Sequence, residues 1–315
     1  MNPAPLRAEL DVPPAGAPAV AAPAAAPAHA GTADWLLLLG PGFIWGASFL
    51  FIAEGLRSVE PNGLTFARIL VGFVTLGLVP SARRPIARED RRKVILLGLI
   101  WLALPLSMFP LAEQRVSSAL TGMLNGANPL FVALVAAAFS RRLPGRDVLV
   151  GLAVGLAGTV LVAWPSLTLG GSSLDGVLLV LAGVTCYGFA LNLARPLQQR
   201  SGALPVIWRA QAWALVMTAP LGVPELLRAH WSPGPLLSVL ALGALGTGVA
   251  YVLLAVAAGR MGATRAAATT FLIPGVALLL GWLVRGEHVA ALAIVGGVVC
   301  VGGAWLMRRA QLAGH

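Results

Sequence analysis

From Trp35 onward the chain is an almost unbroken series of apolar runs, separated by short turns that hold most of its charge. A helix rising 1.5 Å per residue needs roughly 20 such residues to cross a hydrocarbon core about 30 Å thick. In that medium every backbone N–H and C=O must be satisfied internally, which leaves only helices and closed barrels. The runs are about twice the length of a barrel strand, so the fold class is all-α and polytopic. Composition agrees: 58% of residues are hydrophobic and 11% charged, too little polar surface to cover a soluble globule of 315 residues.

The pattern predicts ten spans, at about 35–55, 62–80, 93–112, 117–139, 147–165, 175–194, 205–223, 235–258, 263–284 and 288–307. Residues 1–34, rich in Ala and Pro, predict a disordered tail, because they offer too little large apolar surface to offset chain entropy. The first long run is of full spanning length, so it is expected to remain as the first helix rather than to be removed as a signal. Residues 308–315 form a short second tail.

Arginine placement sets the expected orientation. Placing the N-terminus inside puts sixteen basic residues in cytoplasmic segments, among them Arg83, Arg84, Arg88, Arg91, Arg92, Lys93, Arg195, Arg200, Arg260 and Arg308. Four remain outside (Arg57, Arg115, Arg228, Arg285), and Arg68 and Arg209 fall within spans. Both termini are therefore expected in the cytoplasm. One Lys among 22 basic residues suggests a GC-rich coding sequence and a bacterial inner membrane. The net charge of +10 lies in turns rather than on a stripe with interleaved aromatics, so nucleic acid is not an expected partner; the lipid bilayer is.

The chain repeats itself. A shift of 145 residues places Arg115 on Arg260, Pro129 on Pro274, Gly151 on Gly296 and Gly158 on Gly303. Toward the front the offset drifts, with Trp45-Gly46 matching Tyr187-Gly188 and Pro61 matching Pro205. The unit is five helices, and an odd number gives the two copies opposite orientations. Within residues 246–305 stand Gly246-Thr247, Ala250-Tyr251, a helix centred on Pro274, the turn Gly286-Glu287 and a Gly-rich last helix. This arrangement resembles the second EamA domain of the drug/metabolite transporter superfamily. The resemblance implies two inverted five-helix repeats, over 35–165 and 175–307, and a secondary transporter exporting amino acids or related small metabolites through a central cavity. In the first repeat Arg142 stands at the position of Glu287, so no role of that glutamate carries over.

Chemistry is scarce within the spans. The acidic residues occupy tails, turns or helix ends, with Glu54 and Glu113 nearest the membrane at external ends, and no histidine lies in a span. That argues against a mid-membrane carboxylate exchanging protons for a cationic drug, the activity of a multidrug exporter. No catalytic constellation, cofactor motif or metal-ligand spacing is present, so neither an enzyme nor a cofactor is expected; a non-transporting scaffold or sensor is the other alternative. Cys186 and Cys300 sit in apolar runs and read as packing residues.

Uncharged groups capable of recognition do fall near the midplane: Trp45, Trp101, Asn125, Asn128, Tyr187, Tyr251 and Thr270 are the expected contacts to a small-molecule substrate. Each could equally bond or pack against a neighbouring helix. Pro129 and Pro274 are expected hinges, since a mid-helix proline frees a carbonyl one turn earlier. For Arg68 and Arg209 the plain reading is a guanidinium snorkelling to the interface; contact with a substrate carboxylate is the sharper reading of Arg68.

Overall fold

A computed structural model describes residues 32–141, 144–169 and 172–313. Most of the expected N-terminal tail, Arg142 and the last two residues lie outside the described residues. Within them the chain forms ten long helical segments, numbered here in chain order, with two short 3-10 turns, Pro80–Arg83 and Arg88–Asp90, between the second and the third. α1 is Thr32–Gly55 and α2 is Pro61–Gly77. α3 (91–113) joins Arg91–Leu97, a π-helical Gly98–Ala103 and Leu104–Glu113. α4 (118–140) is Ser118–Asn125 followed, after a break, by Asn128–Ser140. α5 is Arg146–Leu169, α6 Ser172–Ser201 and α7 Ala203–Leu227. α8 (233–261) has a π-helical Leu242–Val249 at its centre. α9 (263–285) contains a 3-10 stretch, Ala267–Leu272, and α10 is Ala291–Ala313.

Eight of the ten are long and apolar enough to cross a membrane. The other two are α2, of 17 residues, and α7, and these carry the two intramembrane arginines of the sequence reading. Several bounds differ from expectation. α1 begins at Thr32, inside the expected tail; α6 begins at Ser172 and runs on to Ser201; α10 continues to Ala313 through the expected C-terminal tail. Those extensions are rich in Ala, Leu, Arg and Gln, which favour helix once a nucleus exists, whether or not lipid surrounds them.

The irregular turns occur in pairs related by the repeat. π-helical turns interrupt the third helix of each half, at 98–103 and 242–249. Breaks precede Asn128-Pro129 in α4 and Ile273-Pro274 in α9, where proline cannot donate to the preceding turn. The same two helices end in left-handed backbone at equivalent positions, Gly286 (φ 64°) and Arg141 (φ 51°). Glycine takes that conformation freely; an arginine there costs roughly 1–3 kcal/mol.

Contacts within the helix ends define two ends of the bundle. At one, Arg200 pairs with Asp90 and Glu89, Arg209 reaches the carbonyls of Ala82 and Arg83, and Arg260 meets Asp34. This is the arginine-rich end. At the other, residues 54–63, 113–119, 225–232 and 281–287 come together. The buried core differs between them. Toward the second end it is one cluster drawing on both repeats, including Ile52, Leu64, Phe109, Val180, Val239 and Ala277. Toward the arginine-rich end it splits in two. One part is built on α2, α3, α6 and α7; the other, on α4, α5 and α10, is centred on Leu130, Leu152, Cys300 and Met307. In that second part α5 and α10 meet backbone to backbone: a Cβ on Gly158 would run into the main chain of Cys300, and one on Gly303 into that of Gly155.

Candidate functional site

The split in the core is filled by a cavity of about 320 Å³. The irregular turns contribute part of its wall, among them Trp101, Asn125, Asn128, Thr247 and Thr270. A π turn leaves a carbonyl without its helical partner, and such bulges recur at functional sites. In α8 the freed carbonyls are taken by side chains from elsewhere: Trp45 Nε1 donates to Gly246 O at 2.9 Å and Gln211 Nε2 to Thr247 O at 2.6 Å. The matching turn of α3 contributes Trp101. The rings then lock together, with Tyr251 edge-on to both Trp45 (5.6 Å) and Trp101 (5.8 Å), and Tyr187 tilted against Phe109 at 5.7 Å.

Every residue expected to contact substrate lines this one space: Trp45, Trp101, Asn125, Asn128, Tyr187, Tyr251 and Thr270, together with Arg68. Pro129 and Pro274 do not line it; they sit at the breaks beside it. Thr270 donates its hydroxyl to Ala267 O, leaving only its acceptor face free. Asn125 and Asn128 each hold a buried side-chain carbonyl with no hydrogen-bond partner among the described residues. A buried acceptor left unpaired costs about 1–3 kcal/mol, which a donor entering the cavity would relieve.

Arg68 departs from its plain reading. It is 6% exposed, too deep to reach an interface, and its Nε donates to Thr247 Oγ1 at 2.9 Å across the repeat boundary. No carboxylate pairs with it among the described residues, and the described lining contains no Asp or Glu. The guanidinium is thus a buried cation in the cavity wall, with its Nε–H fixed on Thr247. Arg209 sits at the arginine-rich end, bonded to the carbonyls of Ala82, Arg83 and Pro205. Trp208, beside it, stacks on Phe73 at 5.0 Å and donates its Nε1–H to the Phe73 carbonyl.

The cavity opens toward one end only. Gln198, Ala203, Ala258 and Ala267, on its arginine-rich side, are partly or fully exposed. On the other side it stops at Phe49, Ile52, Leu106 and Phe109, each at most 5% exposed. Beyond that plug, carboxylates of the second repeat hold helix starts of the first. Glu287 accepts from Ser118 N (3.2 Å), Ser118 Oγ (2.8 Å) and Ala119 N (2.8 Å) at the start of α4. Glu225 accepts from Asn62 Nδ2 (2.6 Å) and Gly63 N (2.8 Å) at the start of α2. Both place negative charge where helix N–H groups are unpaired and the dipole is positive. Arg285 adds a link from Glu287 to Glu54.

The sequence reading passed over Glu225, Ser118 and Gln211. Gln211, fully buried, could have been found as a polar residue in the middle of an apolar run. The other two give no local signal, because their partners lie 162 to 169 residues away. Glu113 was expected near the membrane at an external helix end; both its carboxylate oxygens are buried without a hydrogen-bond partner among the described residues.

The pattern of the EamA-like transporter family matches residues 34–164 and again 174–309. Among curated relatives, the uncharacterized transporter YdfC of Bacillus subtilis is 28% identical, covering 82% of this chain and 86% of its own. A probable terminal-alkyne amino-acid exporter of Streptantibioticus cattleyicolor is 27% identical, covering 89% and 94%. The uncharacterized inner membrane transporter YedA of Escherichia coli is 26% identical over 78% and 80%. A solved crystal structure, 18% identical, superposes with a TM-score of 0.59 over 88% of this chain and 96% of that one, a likeness of fold.

Proposed function

This chain belongs to the EamA-like transporter family, and on that footing we propose that it exports amino acids or closely related zwitterionic metabolites across a bacterial inner membrane. It is a multi-pass membrane transporter with two EamA units in tandem. The proposal adds ten crossings, both termini in the cytoplasm, and alternating access around the cavity.

The observation that carries the substrate class is Arg68, a buried cation in the cavity wall with no carboxylate partner among the described residues. A substrate carboxylate would supply the missing charge. The unpartnered carbonyls of Asn125 and Asn128 suit an ammonium group, and the rings of Trp45, Trp101, Tyr187 and Tyr251 suit an apolar side chain. A cationic drug fits poorly, since the described cavity lining presents Arg68 and no Asp or Glu. The probable amino-acid exporter among the relatives supports the same direction and class.

With the arginine-rich end in the cytoplasm, the cavity is open inward and sealed outward. The outer carboxylate contacts then act as a latch: release of Glu287 from α4 and Glu225 from α2 separates the repeats outside while the two inner cores close on each other. Counterflow of labelled amino acids into proteoliposomes tests the function. Saturable exchange of a neutral amino acid is expected, and Arg68→Gln should raise KM by about 10- to 100-fold, the loss of charge-assisted hydrogen bonds worth about 1.5–3 kcal/mol. Arg68→Lys should recover part of that loss. Absence of exchange for every amino acid with folded wild-type protein would overturn the reading.

A further inference from the structure

A second cavity, of about 370 Å³, lies outside the transport path at the arginine-rich end. It is lined by Pro85 and Ile86 of the α2–α3 connection, Arg91 and Val94 of α3, and Arg209 and Trp213 of α7. From these groups we infer a binding site for the phosphate headgroup of an anionic phospholipid of the cytoplasmic leaflet.

The argument begins with charge. Arg91 and Arg209 come from different repeats and meet at one cavity, and neither pairs with a carboxylate among the described residues. The acids beside Arg91 turn to Arg200 instead: Asp90 Oδ1 holds it at 2.8 Å and Glu89 at 3.3 Å, while Asp90 Oδ2 is buried without a hydrogen-bond partner among the described residues. Arg209 is fixed in place by three long hydrogen bonds to carbonyls and by its stacking 5.6 Å over Trp208, which leave its Nε–H free. Two like charges held together without a counterion repel, and a bound anion removes that penalty.

The surroundings select a lipid over a dissolved ion. Trp213, one turn from Arg209 along α7, is 41% exposed, and Val216 beyond it is 63% exposed, so an apolar strip leads from the cations along α7. Pro85, Ile86 and Val94 give the cavity apolar walls. A headgroup phosphate between the arginines would lay its acyl chains along that strip, whereas free phosphate would gain nothing from it. Because the site joins α3 of the first repeat to α7 of the second, occupancy should stabilise that inner half of the bundle.

The test uses purified full-length protein and phosphatidylglycerol, with phosphatidylcholine of the same chains and inorganic phosphate as comparisons. Native mass spectrometry and thermal unfolding in detergent should show retention of phosphatidylglycerol and an upward shift in Tm, with neither effect from phosphatidylcholine. Arg91→Gln, at an exposed side chain, should weaken phosphatidylglycerol about fivefold, and addition of Arg209→Gln about fivefold again. Counterflow in phosphatidylcholine liposomes should be unchanged by Arg91→Gln. Equal phosphatidylglycerol binding by wild type and Arg91→Gln would overturn the site, as would an equal Tm shift from inorganic phosphate. If the double variant is too unstable to purify, Trp213→Ala tests the acyl strip and should lower affinity without altering either cation; unchanged affinity would count against the lipid.

Discussion

Glu287→Gln should unlatch the outer end. The carboxylate accepts three hydrogen bonds from the start of α4 and one from Arg285, and its side chain is only 12% exposed, so solvent screens these contacts little. An amide keeps one acceptor oxygen and turns an N–H donor toward the N–H of Ala119. One charge-assisted bond, worth about 1.5–3 kcal/mol, is lost, the others become neutral, and the charge at the helix start, worth about 0.3–1 kcal/mol, disappears. A net weakening of the closed outer end by about 3 kcal/mol follows, and at about 1.4 kcal/mol per decade this is roughly a hundredfold rise in the outward-open fraction. Ser48, 3% exposed on the cavity wall, is the reporter. In a background with Cys186 and Cys300 replaced by Ala, Ser48→Cys should react with a membrane-impermeant maleimide, added outside intact cells, about a hundredfold faster when Glu287→Gln is present. A rate within threefold of the parent, at undiminished protein level, would refute the latch.

Asn128→Ala should lower transport by at least tenfold while leaving abundance nearly unchanged, measured by counterflow and in-gel fluorescence; loss of both together would make Asn128 structural. Arg141→Gly should raise thermal stability by about 1 kcal/mol, because it relieves left-handed backbone at a residue whose repeat mate is already Gly286; a fall in Tm would show that the arginine side chain contributes more than the backbone strain costs. Single cysteines at exposed His230 and Arg265 should label from outside and inside respectively, and the reverse pattern would invert the orientation.

Much of this protein is legible in its sequence because lipid imposes a simple rule. Runs of spanning length fix the helices, turn arginines fix an expected orientation, and Pro129 and Pro274 at one offset mark where the helices break. Polar and aromatic residues are rare enough in such runs that Trp45, Asn125, Tyr187 and Arg68 stood out, and all four line one cavity. The rule says nothing about which face of an apolar helix meets protein and which meets lipid, since both surroundings are apolar. Hence the depth of Arg68, the burial of Gln211 and the second cavity emerge only when helices are packed. The same holds for the closed end. Glu287 reads locally as part of a turn, and only the pairing of the two repeats brings it to Ser118 and Ala119, 168 to 169 residues away. Sequence determined that the chain is a two-repeat membrane bundle with a polar centre; tertiary structure decided which end of that centre is shut, because the contacts that shut it join helix starts and turns with no local relation to one another.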